Sequence, residues 1–171
     1  MKKIITLLAV IGMFGFQGCT NNDDDNVDND TIPYAFQFTD NLGRVANNEY
    51  NIKSTFQFEI NDNLRDDETV LVYRLTGYVN LSTPVWQLIP RTIYFDNGEE
   101  LDYDYDFSKV DFIITARGSY NLLDTPNYIN NQTFRVVIIP SSLQVSINKN
   151  NYSEVMKALN LNENQIQQIE L

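Results

Sequence analysis

From Leu101 to Phe107 every odd position is apolar and every even position is aspartate. Successive side chains of a strand point to opposite faces, so this pattern describes a β-strand with one face on a core and the other in water. It is preceded by Asp96-Asn97-Gly98. Asn and Gly accept the positive φ that tight hairpin turns require. Arg91 to Phe95, before the turn, supplies the other arm. One hairpin is not stable alone in water, so further strands must cover its apolar face.

The rest of the chain offers them. Tyr34, Phe36 and Phe38 alternate with Ala35, Gln37 and Thr39, predicting a half-buried strand. Phe56, Phe58 and Ile60 alternate with Thr55, Gln57 and Glu59, predicting a second. Asn41-Leu42-Gly43 reads as a turn and residues 61–68 as a polar loop. Val70 to Leu75 is apolar enough for a central strand. Val85 to Ile89 lies between Pro84 and Pro90, and proline cannot donate to a ladder. Phe112 to Ala116 and Thr133 to Ile139 follow, the latter almost continuously apolar and therefore central. The intervening Ser119 to Asn131 is a polar, aromatic loop.

Beyond Pro140 the period changes. Tyr152, Val155, Met156 and Leu159 share one helical face, and Asn151 with Glu154 forms a capping-box pattern. Asn162 with Gln165 repeats that pattern before Ile166 and Ile169. The expected fold is mainly β: an immunoglobulin-like or related antiparallel β-sandwich over residues 32–140, with a loop and two short helices in 141–171 packed on it. A small barrel is the alternative. Ten Tyr and ten Phe suit pleated, half-buried surfaces.

The first thirty residues do not read as part of this domain. Met1-Lys2-Lys3 is a positive start, and Ile4 to Phe16 is an uncharged apolar run too short to span a bilayer comfortably, so 1–18 reads as a signal peptide. Phe16-Gln17-Gly18-Cys19 then resembles a bacterial lipobox, with Cys19 as the lipid attachment point. Phe16 and Gln17 depart from the stricter form of that motif. Each buried acyl methylene contributes about 0.8 kcal/mol, so two or three chains on Cys19 anchor firmly. Residues 19–31 are polar and acidic, an extended, self-repelling tether. Asp23, Asp24 and Asp25 resemble the signal that sends Bacteroidetes lipoproteins to the outer face of the outer membrane.

Chemistry is sparse. The chain has no histidine and one cysteine, which removes the commonest general base and metal ligand and forbids an intrachain disulfide. There is no nucleotide-binding glycine fingerprint and no Cys-x-x-Cys pair. A net charge of −11 repels phosphate backbones, so nucleic acid is not an expected partner. Asp102, Asp104 and Asp106 share one strand face about 7 Å apart, too wide for one calcium shell. They read instead as a solvated face that discourages edge pairing. Asp96, Glu99 and Glu100 form a carboxylate group at the hairpin tip, without the apolar pocket that a glycosidase acid needs. Trp86 and the loop residues Tyr120 and Tyr128 are candidates for sugar stacking, Trp86 otherwise serving the core and the tyrosines otherwise packing over the sheet edge. No catalytic residue, metal site or cofactor is expected.

Val70 to Arg74, Val85 to Pro90, Ile93-Tyr94-Phe95, Tyr103 to Phe107, Gln132 to Val137 and Asn151-Tyr152 together resemble a family of short lipoproteins of unknown function from Flavobacteriia and other Bacteroidetes. The resemblance implies an envelope location and a β fold and transfers no active-site residue. A dihydrolipoamide dehydrogenase name, which relatives sometimes carry, does not fit a chain without a nucleotide fingerprint or a redox cysteine pair. The expectation is a non-enzymatic, lipid-anchored lipoprotein of the outer membrane, facing outward, that binds an envelope protein or glycan. The alternatives are an assembly subunit of an outer-membrane complex and, further off, a carboxylate-based hydrolase.

Overall fold

A computed structural model describes residues 34–144 and 147–171. The signal peptide, Cys19 and the Asp23, Asp24 and Asp25 signal lie outside the described residues.

The strands are β1 (Tyr34–Asp40), β2 (Gly43–Ala46), β3 (Glu49–Thr55), β4 (Glu68–Val79), β5 (Thr83–Leu88), β6 (Arg91–Tyr94), β7 (Glu100–Phe107), β8 (Asp111–Gly118), β9 (Gln132–Pro140) and β10 (Gln167–Gln168). Three short helices accompany them: α1 (Phe56–Ile60), α2 (Ser141–Gln144) and α3 (Tyr152–Ala158). They form two five-stranded sheets, β10-β1-β9-β4-β5 and β2-β3-β8-β7-β6. The fold is a β-sandwich, and the small-barrel alternative is set aside by the two separate sheets. All pairings are antiparallel except β1 with β10, which makes the first sheet mixed rather than antiparallel throughout.

The core lies between the sheets. Phe36, Phe38, Val70, Val72, Phe134, Val136 and Ile138 from the first sheet meet Tyr50, Ile52, Leu101, Tyr103, Phe112 and Ile114 from the second. The outer face of the first sheet is covered too. Ala35, Leu71, Tyr73, Val137 and Ile139 pack under Val155 and Met156 of α3, under Leu159 just after it and under Ile166. Coverage on both faces is why β4 and β9 read as nearly continuous apolar runs. The second sheet has one wet face, which is why β7 alternates so cleanly. The hairpin forms as expected, with Gly98 at φ 84° and its N–H donating to Phe95 O at 2.9 Å.

Two expectations are corrected. Residues 56–60 are helical, and the strand precedes them as β3. Thr55 Oγ1 accepts the Phe58 N–H at 3.2 Å as an N-cap, and Asn61 closes the turn at φ 57°. This arrangement buries Phe56 and leaves Phe58 74% exposed, so the apparent alternation does not mark two faces. The second C-terminal helix is only a 3-10 turn over Glu163–Gln165. It carries the full capping box, after which the chain straightens into β10 along the free edge of β1. The α3 prediction stands, with Asn151 capping through the Glu154 N–H.

α1 closes the end of the sandwich where β1 begins. Its Glu59 is 5% exposed and accepts a hydrogen bond from the Ser54 hydroxyl. Burial raises the carboxyl pKa, and the Ser54 bond offsets part of that rise. Because the folded pKa exceeds the unfolded one, stability is greatest below the ordinary carboxylate range and falls as pH rises through the folded value. Glu59→Gln keeps the acceptor and removes the charge. It is expected to raise the urea midpoint at pH 7 and to raise it less near pH 4; equal gains at both would contradict the assignment.

Candidate functional site: a polar cleft over Arg74

Val70, Val72 and Arg74 occupy the same inward phase of β4, so the strand carries a guanidinium into the end of the inter-sheet space. Arg74 is only 7% exposed. Its Nε and Nη2 both donate to Gln132 Oε1, at 2.9 and 2.6 Å. The guanidinium lies 4.3 Å from the Tyr103 ring centroid and 5.7 Å from that of Tyr128. No carboxylate pairs with Arg74 among the described residues, whose ion pairs join other groups. Burial lowers the Arg74 pKa, and the Tyr103 and Tyr128 hydroxyls work the other way. Burial likewise pushes the Tyr103 phenol well above its ordinary value.

Gln132 joins this cation to the loop between β8 and β9. Its Nε2 donates to Asn127 O at 2.8 Å and Asn130 O at 2.7 Å. Those carbonyls only accept, so the amide nitrogen must face the loop and the oxygen must face Arg74. Tyr103 Oη donates to Tyr128 O at 2.5 Å, fixing the same loop from the second sheet. Phe95 meets Tyr120 and Tyr128 edge-on, each with ring centroids 5.6 Å apart.

Above the guanidinium is an open cleft of about 550 Å³. Its polar wall includes Thr76, Gln87, Asn127, Asn131, Gln132 and Thr133, with Tyr78 and Tyr128 as aromatic members. Among the described residues, Arg74 is the only charged one lining it. Tyr34 pairs with Ile138 and Asp40 with Gln132, so β1 runs from the α1 end to the cleft end. At about 3.3 Å per residue, that separates the two ends by roughly 20 Å.

Of the residues singled out from the sequence, Tyr128 reaches this site and is half-buried. The expected exposure of Tyr120 is corrected: it is 7% exposed, with its hydroxyl 2.6 Å from Thr125 Oγ1, and it supports the loop from below. Its packing against Phe95 follows the sheet-edge alternative. Trp86 is half-buried on the other face of the first sheet, with Arg135 stacked 4.1 Å from its ring centroid. That face is occupied, and the indole Nε1 is buried with no hydrogen-bond partner among the described residues.

Asp102, Asp104 and Asp106 lie on the wet face of the second sheet as the alternation implied. Asp102 is flanked by both β6 and β8, whereas β6 ends at Arg91 opposite Tyr103, so Asp104 and Asp106 stand on a stretch of β7 paired only with β8. Asp102 stands opposite Thr92 on one side and Arg117 on the other. The Arg117 pKa is raised first by Glu49 and further by Asp104 and Asp102. Asp96, Glu99 and Glu100 sit at the exposed hairpin tip. Among the described residues no group of three or more His, Cys, Asp or Glu is arranged to hold a metal ion.

Sequence reading passed over Arg74 and Gln132. The available signal was a cation in the inward phase of an apolar strand, where a charge needs a partner. Comparison of the chain with protein families, with curated proteins and with solved structures finds no match.

Proposed function

We propose that this chain is a non-enzymatic binding module of a bacterial envelope. In this reading acylated Cys19 anchors it to the outer membrane, and the tether bearing Asp23, Asp24 and Asp25 displays it on the outer face. It is of the short Bacteroidetes lipoprotein type. The observation that carries the binding role is the Arg74 cleft, a concave polar site with a buried cation at the end of the sandwich away from Tyr34. A ligand site on that side fits a domain tethered through residues that precede Tyr34. The non-enzymatic reading is supported by a chain without histidine and by a cleft lined, among the described residues, by no carboxylate or lysine to serve as a general base.

An assembly role in an outer-membrane complex is the second reading. It is favoured by the β4–β5 hairpin tip, where Tyr78, Val79 and Leu81 are 59, 52 and 97% exposed.

Anchoring is tested by growing a Bacteroidetes host expressing the full chain with an alkyne-tagged fatty acid. Label is expected on the wild-type protein in the membrane fraction, and Cys19→Ser is expected to lose it and leave that fraction. Wild-type protein that takes up no label and retains its leader would contradict the anchor.

A further inference from the structure

Deepening that reading, the chemistry of the Arg74 cleft identifies a class of ligand. A guanidinium 7% exposed is normally matched by a carboxylate, because desolvating a charge is costly. Here its partners are one neutral amide oxygen, the Tyr103 hydroxyl and two aromatic rings, each a weaker complement than an anion. The chain is rich in carboxylates, with 23 Asp and Glu against 12 Lys and Arg, yet among the described residues none lines the cleft. A negative charge entering the cleft would complement this guanidinium. One guanidinium matches one such charge, and two of its five N–H groups are engaged by Gln132.

The wall specifies the rest of the ligand. Gln87, Asn127 and Asn131 offer amides that donate and accept, and the Thr76 and Thr133 hydroxyls, bonded to Val85 O and Thr39 Oγ1, keep acceptor capacity, which suits a ligand rich in hydroxyl groups. Tyr128 adds a ring for apolar C–H faces. The apolar lining is minor, which argues against a fatty or aromatic acid. A volume of about 550 Å³ lies within the usual range for small-molecule sites.

We infer that the cleft binds an acidic sugar, with its carboxylate on the Arg74 guanidinium and its ring hydroxyls on the amide and threonine wall. Such a group is found at the end or along the length of an acidic glycan, which fits an envelope module that recognises a polysaccharide.

The test is an NMR titration of the isotope-labelled full chain with three probes: methyl glucuronide, neutral methyl glucoside and inorganic sulfate. The glucuronide is expected to shift the Arg74 Nε–H and the side-chain amides of Asn127, Asn131 and Gln132 together and saturably. The glucoside should bind about tenfold or more weakly, since it lacks the charge-assisted bonds. Sulfate should move the Arg74 signal and leave those of Asn127 and Asn131 in place. Arg74→Met should reduce glucuronide affinity by about tenfold or more. Asn127→Ala, at the accessible wall, should weaken it several-fold with the guanidinium intact.

Equal affinity for glucoside and glucuronide would overturn the charge assignment and leave a neutral binding site. Sulfate producing the full glucuronide pattern would overturn the sugar assignment. A cleft silent to all three would overturn the ligand class, whereas the anchored placement stands or falls on Cys19 labelling alone.

Discussion

Phe112→Ala is expected to lower folding stability by about 4 kcal/mol, read as a large fall in the urea midpoint with an unchanged slope. Phe112 is fully buried in β8, a central strand of the second sheet. Its ring centroid lies 5.9 Å from Phe36, 6.2 Å from Phe38 and 5.4 Å from Phe56. Phe36 and Phe38 belong to β1 of the facing sheet and Phe56 opens α1, so one side chain joins three parts of the core. Truncation removes its burial and leaves a cavity that two hydrogen-bonded sheets cannot easily collapse. A domain of this size has about 5–15 kcal/mol in total, so the variant should be close to unfolding at physiological temperature. Phe112→Leu, which keeps much of the volume, should cost about 1–1.5 kcal/mol. Equal losses from both substitutions would contradict the cavity argument.

Arg135→Ala is the second large effect, expected at about 3 kcal/mol. Arg135 is 3% exposed on the outer phase of β9, between Phe134 and Val136 of the core. Its Nε and Nη2 donate to Gln37 Oε1, while Nη1 and Nη2 reach the two Glu163 oxygens at 3.0 and 2.9 Å. Nη1 also contacts the Tyr152 hydroxyl, and the guanidinium lies 4.1 Å from the Trp86 ring centroid and 5.2 Å from that of Tyr152. Tyr152 opens α3 and Glu163 opens the following 3-10 turn, so this one cation clamps the C-terminal segment onto the sheet. The loss should be local as well as global. Amide exchange in α3 should accelerate more than exchange in β8, whose neighbours are untouched. Glu163→Gln should cost less, because Glu163 is 58% exposed and its oxygen can still accept. Uniform acceleration across both sheets would contradict the clamp.

The two buried arginines differ in a way that bears on function. Arg135 has a carboxylate within the chain, and Arg74 has none among the described residues. The first is explained by folding alone. The second is the basis of the proposed ligand site.

Much of the sandwich was legible because its strands obey period two, and α3 was legible because Asn151 and its apolar face agree. The failures have physical causes. Five residues at 56–60 cannot distinguish alternation from one helical turn, and the Thr55 cap decided the outcome. β2 is exposed along its whole length and carries no apolar pattern to read. β10 exists because the edge of β1 is free, a tertiary fact that local sequence does not encode. The same holds for the site. Tyr128 was legible as an aromatic loop residue, whereas Arg74 and Gln132 meet only when β4 pairs with β9 and the loop folds back on them.

A crystal structure of the full chain grown with methyl glucuronide tests the cleft most directly. The sugar carboxylate should lie about 2.7–2.9 Å from the Arg74 guanidinium nitrogens, with ring hydroxyls against Asn127, Asn131 or Gln87. An Arg74 paired instead with a carboxylate of its own chain, or a sugar bound elsewhere with the cleft holding only water, would contradict the account.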